Sequence, residues 1–280
     1  MVPSSIGDSL GGRYRLTGVL GSGGMATVYR ARDELLGRDV AVKLFPPVPL
    51  DADELGRHRA EVMVLAMLTH PGLVTLYDAG ATPTDAGMHE SYLVMELVEG
   101  PSLAAHLARG SLGTDQAALL GSQIADALVT VHTAGIVHRD IKPANILLVD
   151  GDSLDRIAPG PSTGPAVKLA DFGIARVAGA ERLTATGTTL GTASYLSPEQ
   201  AVGGAVDAAT DVYALGLVLL ESITGAPAFT GTVAEIAVAR LHRSPDVPPA
   251  LGPAWTEVLT AMTEREPDLR PTTRDVADAL

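Results

Sequence analysis

The chain has 280 residues, 46% of them hydrophobic, and a formal net charge of −13 at neutral pH. This length supports a sizeable hydrophobic core, and the negative charge argues against a nucleic acid or an anionic membrane surface as the main partner, because the long-range field repels both. Cysteine is absent, which excludes a disulfide framework and a thiolate metal site.

The chain carries no sign of a leader or of a membrane span. Residues 1–12 lack a cationic start followed by an apolar core, so we expect no secretory signal. The apolar run from Tyr213 to Leu220 is far shorter than the roughly 20 residues that cross a bilayer. We expect a cytoplasmic location, and a longer natural protein with a membrane anchor is compatible with a sequence that ends inside a predicted helix.

The first third of the chain, from Arg13 to about Leu97, is predicted to form a small sheet. Its apolar segments are short, rich in β-branched residues and separated by glycine, proline or aspartate. One interruption, from Asp51 to about Leu68, has helical periodicity, and Asp51 or Asp53 could cap it. The sequence therefore predicts a sheet that carries one long helix.

The remainder of the chain has mainly helical periodicity. Helices are predicted from Thr114 and from Ala208, each closed by a glycine, and others at 233–241, 254–262 and from 273 onward. The segment Asp150 to Ala166 is rich in turn-forming and polar residues, which predicts an exposed hairpin loop. The predicted fold class is α+β.

A glycine-rich stretch, LGSGGMATVY at 20–29, lies between two predicted strands. Gly21, Gly23 and Gly24 would let backbone N–H groups approach a polyphosphate without intervening side chains. An ordinary glycine-rich hairpin turn is the alternative. Ala26 stands where the G-x-G-x-x-G pattern has its third glycine.

A lysine and a glutamate form a second candidate pair. Lys43 lies in the strand-like VAVKLF, and Glu61 lies on the predicted helix with Leu65 and Leu68 on its face. A carboxylate that faces inward needs a partner, and Lys43 is a candidate for it. An ordinary surface pair between Arg57 and Glu61 is the competing interpretation.

Two further stretches place polar residues at the ends of short apolar segments. The first, IVHRDIKPANILL at 136–148, contains Asp140, Lys142 and Asn145, and the second, LADFGIA, contains Asp171. Asn145 and Asp171 are oxygen donors of the kind that Mg²⁺ prefers. For Asp171, the alternative is that its carboxylate only helps to form a turn at the end of a strand.

In this order, and with SPE at 197–199, the motifs resemble those of a protein kinase catalytic domain. The resemblance runs from about Arg13 to the end of the chain. GSGGMATVY, HRDIKPANIL and GTASYLSPEQ are most similar to bacterial Ser/Thr kinases of the eukaryotic-like (Hanks) type, in particular those of actinobacteria.

The resemblance implies a bilobal protein-kinase-like fold. Residues 13–97 would form an N-lobe with a small antiparallel sheet and one long helix, 98–101 a hinge, and 102–280 a larger, mainly helical C-lobe. The implied activity is ATP-dependent transfer of the γ-phosphoryl group to Ser or Thr hydroxyls of protein substrates, with Mg²⁺, or Mn²⁺ in its place, as the cofactor.

The resemblance also implies roles for individual residues. Asp140 would orient the substrate hydroxyl and accept its proton, and Lys142 would neutralise charge near the transferred group. Lys43, positioned by Glu61, would hold the α- and β-phosphates, and Asn145 and Asp171 would hold the metal. The residues expected around ATP are Leu20, Gly21, Ser22, Gly23, Gly24, Val28, Ala41, Lys43, Met95 as gatekeeper, and the backbone of Glu96 and Val98.

Structural and regulatory roles follow from the same resemblance. Asp211 is expected to bond the catalytic-loop backbone, and Glu199 to pair with Arg270. Thr184 and Thr186 are the expected autophosphorylation sites in the activation segment, and Arg139 is the expected partner of the phosphate. A homodimer would allow phosphorylation in trans.

Two alternatives to this function remain open at this point. One is a pseudokinase scaffold that binds nucleotide or partner proteins without catalysis. The other is a small-molecule phosphotransferase, which Lys142, Thr192 and SPE disfavour relative to a protein kinase.

Overall fold

The structure, a computed structural model, describes residues 5–23, 26–48, 66–83, 88–150, 154, 165–171 and 193–280. These residues group into two compact units. The first contains the described residues up to Thr69 together with Val74–Val98. The second contains His70–Leu73 and the described residues from Glu99 to Leu280.

An antiparallel sheet builds the first unit. Its six strands follow the spatial order β1-β2-β3-β4-β6-β5. Their bounds are β1 Ser9–Leu10, β2 Tyr14–Ser22, β3 Thr27–Asp33, β4 Arg38–Leu44, β5 Leu76–Pro83 and β6 His89–Met95. The long helix predicted from Asp51 lies almost entirely outside the described residues.

One face of this sheet forms the core of the first unit. Alternating residues of β2 and β3 are buried, in keeping with the two-residue side-chain period of a strand, whereas β4 and β6 also bury consecutive residues. Tyr14 and Tyr92 meet edge to face with ring centroids 6.2 Å apart. The buried cluster consists of Leu10, Tyr14, Leu16, Tyr29, Ala31, Val40, Val42, Leu44, Tyr92 and Val94.

The second unit is mainly helical. Its helices among the described residues are α1 Leu103–Leu107, α2 Thr114–Thr133, α3 Pro198–Ala201, α4 Ala208–Thr224, α5 Val233–His242, α6 Pro253–Met262 and α7 Thr273–Ala279. The predicted starts at Thr114 and Ala208 are confirmed, whereas α1 and α3 are short helices that periodicity did not predict. The expected α+β class is confirmed by the sheet of the first unit and the helices of the second.

Helix α4 is the central element of the second unit. Twelve of its residues are buried, which explains its near-continuous apolar sequence. The Asp207 side chain accepts the N–H of Ala209 at the start, and Gly225 ends the helix in the left-handed conformation with a φ of 75°. Ends defined in this way fix where the residues of the first turn, including Asp211, are placed.

A short hairpin lies between the candidate residues Asn145 and Asp171 of the second unit. Strands β7, Ile146–Leu148, and β8, Val167–Leu169, pair antiparallel, so the predicted hairpin flanks are present. A 3-10 turn at Pro143–Asn145 leads into β7. Of the predicted loop between the strands, residues 151–153 and 155–164 lie outside the described residues. Within the described part of the chain, no helix is long and apolar enough to cross a bilayer.

Candidate active site

Three predicted polar residues meet at the 3-10 turn before β7. The Lys142 ammonium lies 2.9 and 2.8 Å from the two carboxylate oxygens of Asp140. The Asn145 amide nitrogen donates to the Asp140 carbonyl at 2.8 Å and to its Oδ2 at 3.0 Å. The Asp140 side chain is still 37% exposed, so the carboxylate is held in place and remains accessible to solvent.

A buried carboxylate holds the backbone just before this cluster. Asp211 is fully buried and accepts the N–H groups of His138 and Arg139, both at 2.8 Å. His132 Nε2 lies 2.8 Å from the same carboxylate. Three donors therefore satisfy a carboxylate that would be costly to bury alone. The structure thus brings Asp211 to the backbone expected from the sequence.

The buried His138 ring connects this loop to strand β8. Its Nδ1 accepts the N–H of Asp140 at 3.3 Å, so its Nε2 carries the proton and donates to the Ala170 carbonyl at 2.9 Å. The Ala170 N–H in turn donates to the Asn145 carbonyl at 2.8 Å. These bonds bring the segment before Asp171 next to the turn that carries Asn145.

Two residues of this region have left-handed backbone conformations. Among the non-glycine residues described, only Arg139, with a φ of 69°, and Asp171, with a φ of 64°, have positive φ. Such conformations cost about 1–3 kcal/mol and persist where the surroundings fix them. Both residues flank the candidate metal and hydroxyl sites, which supports a functional reason for the strain.

The residues available for a metal are oxygen donors. Because the Asn145 nitrogen is bound to Asp140, the amide oxygen is the atom that would act as a ligand, together with the Asp171 carboxylate. Mg²⁺ typically binds one or two protein groups and completes its shell with waters and phosphates, so this donor set fits it. In the described part of the chain, no group of three or more His, Asp or Glu forms a complete metal cage.

In the first unit, the predicted nucleotide residues lie on adjacent strands. Lys43 on β4 is opposite Val28 of β3 and Leu93 of β6, and Ala41 is opposite Met95. Ala41 and Met95 are buried, whereas Leu20 is 51% exposed. Glu61, the expected partner of Lys43, lies outside the described residues.

The glycine-rich stretch forms the end of a hairpin. Gly21 and Ser22 on β2 pair with Val28 and Thr27, and the Gly23 N–H donates to the Ala26 carbonyl at 3.0 Å. A Cβ added to Gly21 would meet no atom within 4 Å, so packing inside the protein does not require glycine there. Gly24 lies outside the described residues.

The segment predicted to contact adenine is anchored through Glu96. Its N–H donates to the Thr75 carbonyl at 2.8 Å, and its carboxylate accepts the N–H of Thr75 at 3.2 Å. Contact of the Glu96 and Val98 backbone with a base stays a prediction.

The structure also brings together Glu199 and Arg270 in the second unit. The Arg270 side chain is fully buried, and its five N–H groups donate to Glu199 and to three backbone carbonyls, those of Ala209, Glu264 and Arg265. Burial alone raises the pKa of Glu199, but hydrogen bonds from Arg270 and Thr210 outweigh it and lower the pKa to about 2.

Sequence reasoning missed several polar contacts. His132, which bonds Asp211, ends an apolar helix, and its position in the last turn of α2 is the signal that could have identified it. Tyr195 donates to Glu221 at 2.5 Å, and Gln200 donates to the Arg139 carbonyl at 3.0 Å. No local pattern marks these partners, because they are far apart in sequence.

The predicted phosphorylation sites, Thr184 and Thr186, lie outside the described residues, as does Thr192. Their place relative to Arg139 stays a prediction. The division of the chain at 98–101 into lobes and hinge also stays a prediction.

Comparisons with known proteins agree with these motifs. A family model described as protein kinase domain matches residues 14–279. The serine/threonine-protein kinase PknA of Mycobacterium tuberculosis is 40% identical over 270 residues, which are 95% of this chain and 59% of the relative. This chain therefore spans only part of the length of that relative.

Solved structures give the same result. The crystal structure of the Mycobacterium tuberculosis PknI kinase domain has a TM-score of 0.72 and 25% identity, and the match covers 99% of this chain and 98% of that one. The crystal structure of Rad53 in complex with AMP-PNP has a TM-score of 0.74 and 26% identity, covering 95% of this chain and 64% of the other.

Proposed function

Because this chain belongs to the protein kinase domain family, we propose that it is an active protein serine/threonine kinase that uses ATP and Mg²⁺. The observation that carries the proposal is the cluster of Asp140, Lys142 and Asn145, joined through the Asn145 carbonyl to the segment before Asp171. Related Ser/Thr kinases in actinobacteria support the same activity.

In the proposed reaction, Asp140 accepts a hydrogen bond from the substrate hydroxyl and takes its proton. The hydroxyl oxygen forms a bond to the γ-phosphorus, the bond from that phosphorus to the β,γ-bridging oxygen breaks, and ADP leaves. Lys142, held 2.8 Å from Asp140, places a positive charge beside the transferred group. Phosphoryl transfer depends mainly on such positioning and charge stabilisation.

The nucleotide and the metal are assigned to separate groups of residues. Lys43 would bind the α- and β-phosphates, and the glycine-rich hairpin at Gly21 and Gly23 would cover phosphates with its backbone. Asn145 and Asp171 would hold Mg²⁺, which supplies positive charge to the phosphate oxygens when bound. Mn²⁺ is the second candidate, because it binds the same oxygen ligands.

The proposal extends to activation by autophosphorylation. Phosphate on Thr184 or Thr186 would carry a charge of about −1.5 to −2 and form charge-assisted hydrogen bonds with Arg139. Two copies of the chain would meet transiently for phosphorylation in trans. The support is the position of Arg139 next to Asp140, with its backbone bonded to Asp211.

A pseudokinase is the competing function. It is disfavoured because Lys43, Asp140, Lys142, Asn145 and Asp171 are all present, so no catalytic group among the described residues has been lost.

The test is phosphoryl transfer itself. The native chain and Asp140→Asn are incubated in parallel with Mg²⁺, ATP and a general protein acceptor, and phosphosites are mapped by mass spectrometry. We expect phosphoserine or phosphothreonine with the native chain and a loss of at least about 100-fold in the variant, the scale of removing one key transition-state group. Nucleotide binding without transfer by the native chain would support the pseudokinase instead.

A further inference from the structure

A contact in the second unit that has no assigned role joins Gln200 to the loop that carries Arg139 and Asp140. Gln200 is the third residue of the short helix α3, which begins within the SPE motif at 197–199. Its amide nitrogen donates to the carbonyl oxygen of Arg139 at 3.0 Å, across 61 positions of the sequence. The same amide uses its oxygen to accept the N–H of Ser197 at 2.9 Å.

The oxygen and the nitrogen of the Gln200 amide therefore have different roles. The oxygen completes a capping box, in which Ser197 Oγ also accepts the Gln200 N–H at 3.3 Å. Capping by the side chain of this residue requires only a hydrogen-bond acceptor. Helices α5 and α7, which also begin with a hydroxyl cap, have carboxylates at the equivalent position, Glu235 and Asp275. A carboxylate would cap α3 equally well but could not donate a hydrogen bond to Arg139.

The receiving carbonyl belongs to the peptide bond between Arg139 and Asp140. The orientation of this peptide group sets the backbone of Asp140 and the direction of its side chain. Arg139 is held in a left-handed conformation, and its N–H is already bonded to Asp211. Gln200 fixes the other end of the same residue, so Asp211 and Gln200 together maintain a conformation that an arginine would otherwise leave.

We propose that Gln200 is a positioning residue for phosphoryl transfer, which orients Asp140 by donating a hydrogen bond to the Arg139 carbonyl. The inference rests on the proposed kinase function and extends it, because it couples helix α3 to the carboxylate proposed to bind the substrate hydroxyl. A change in α3 is then transmitted to Asp140 through a single amide.

Two substitutions distinguish the role of Gln200 as a hydrogen-bond donor to Arg139 from its role in capping helix α3. Gln200→Glu keeps the acceptor for Ser197, favours the helix N-terminus, and places an oxygen against the Arg139 carbonyl. Gln200→Met removes the acceptor and the donor together. Glu235→Gln in α5 is the matched control, because it makes the reverse exchange at the same position of another capping box, in which the carboxylate accepts from Thr232.

The experiment measures kcat, the KM for ATP, the melting temperature and hydrogen exchange of the peptide at 137–145 for the four proteins. We expect Gln200→Glu to lower kcat about 10- to 100-fold, the scale of a lost and opposed backbone hydrogen bond. The KM for ATP and the melting temperature should stay near the native values, while hydrogen exchange in the 137–145 peptide rises. Glu235→Gln should match the native chain in every measurement.

The outcomes separate the two proposals. Native kcat and native exchange in Gln200→Glu, with losses only in Gln200→Met, would assign Gln200 to capping and overturn this inference alone. If Gln200→Glu lowered both kcat and the melting temperature, the inference would be overturned as well, because the loss of activity would then follow from a less stable fold. A native chain without any transfer activity would overturn the kinase proposal and with it the role of Gln200.

Discussion

Arg270 and Glu199 form a bidentate ion pair within the second unit. Nη1 donates to Oε1 at 2.8 Å and Nη2 donates to Oε2 at 2.9 Å. The arginine side chain is fully buried and the glutamate side chain is 10% exposed, so the pair is shielded from water. It joins the short helix α3 to the segment before α7, 71 positions later.

We predict that Arg270→Ala strongly destabilises the protein. It would leave the Glu199 carboxylate buried without its main partner, a change that typically costs about 3–5 kcal/mol. Arg270→Lys should recover only part of this loss, because an ammonium cannot reproduce the two parallel bonds. Urea unfolding measures the free energy of unfolding.

Arg274→Ala is the matched control for this prediction. Arg274 pairs with Asp126 at 3.4 Å, and both side chains are at least half exposed. Exposed pairs contribute about 0–1 kcal/mol, so the control should be nearly neutral. Similar losses for Arg270→Ala and Arg274→Ala would contradict a special role for the buried pair.

From the same ion pair, we predict that the free energy of unfolding decreases in acid. The pKa of Glu199 is about 2 in the folded chain and near 4.5 when unfolded, so its contribution is complete above about pH 4.5 and declines as the pH falls toward 2. The contribution at neutral pH is on the order of 3 kcal/mol. The native chain and Glu199→Gln are compared by chemical unfolding from pH 7 to pH 3.

The comparison with Glu199→Gln is necessary because a second carboxylate titrates in this range. The hydrogen bond from Arg13 lowers the pKa of Asp33 in the first unit to about 2, against the opposing effect of burial. The stability difference between the native chain and Glu199→Gln removes that shared contribution. A difference that stays constant from pH 7 to pH 3 would rule out the assigned role of Glu199.

For the nucleotide and metal residues, we predict that Lys43→Met and Asp171→Asn each lower kcat by at least about 10²–10³. The first loses a cation for the phosphates and the second a ligand for Mg²⁺. Chelation of Mg²⁺ should abolish transfer, and added Mg²⁺ should restore it. Steady-state kinetics measures the losses.

Circular dichroism and the melting temperature check that these variants remain folded. Lys168→Met, on β8 close to Asp171 in sequence, is the control for loss of a lysine outside the proposed site. Near-native turnover in Lys43→Met or Asp171→Asn would remove that residue from the proposed site.

For activation, we predict that the combined change Thr184→Ala and Thr186→Ala lowers kcat at least about tenfold, because Arg139 then has no phosphate to bind. Arg139→Ala should make activity independent of phosphorylation at these threonines. Thr188→Ala with Thr189→Ala is the matched control and should have little effect. Full activity of the first double variant, shown by mass spectrometry to lack phosphate in this segment, would refute the hypothesis.

The sequence predicted the residues of the candidate site that lie close together along the chain. Asp140, Lys142 and Asn145 are within six positions, and a single tight turn is enough to bring them together. Helix bounds were also predictable where a cap and an apolar periodicity coincide, as in α4 with Asp207 and Gly225.

The sequence by itself thus determined the family, the α+β class and the chemical groups, because motifs and periodicities are local. Only the tertiary structure decided which residues, distant in sequence, hold the site residues in place. His132 and Asp211 are 79 positions apart, and Gln200 and Arg139 are 61 apart. Each pair joins separately formed elements, and a hydrogen bond requires the right distance and direction. Packing of the helices around α4 fixes both of these quantities, and no spacing in the sequence encodes them.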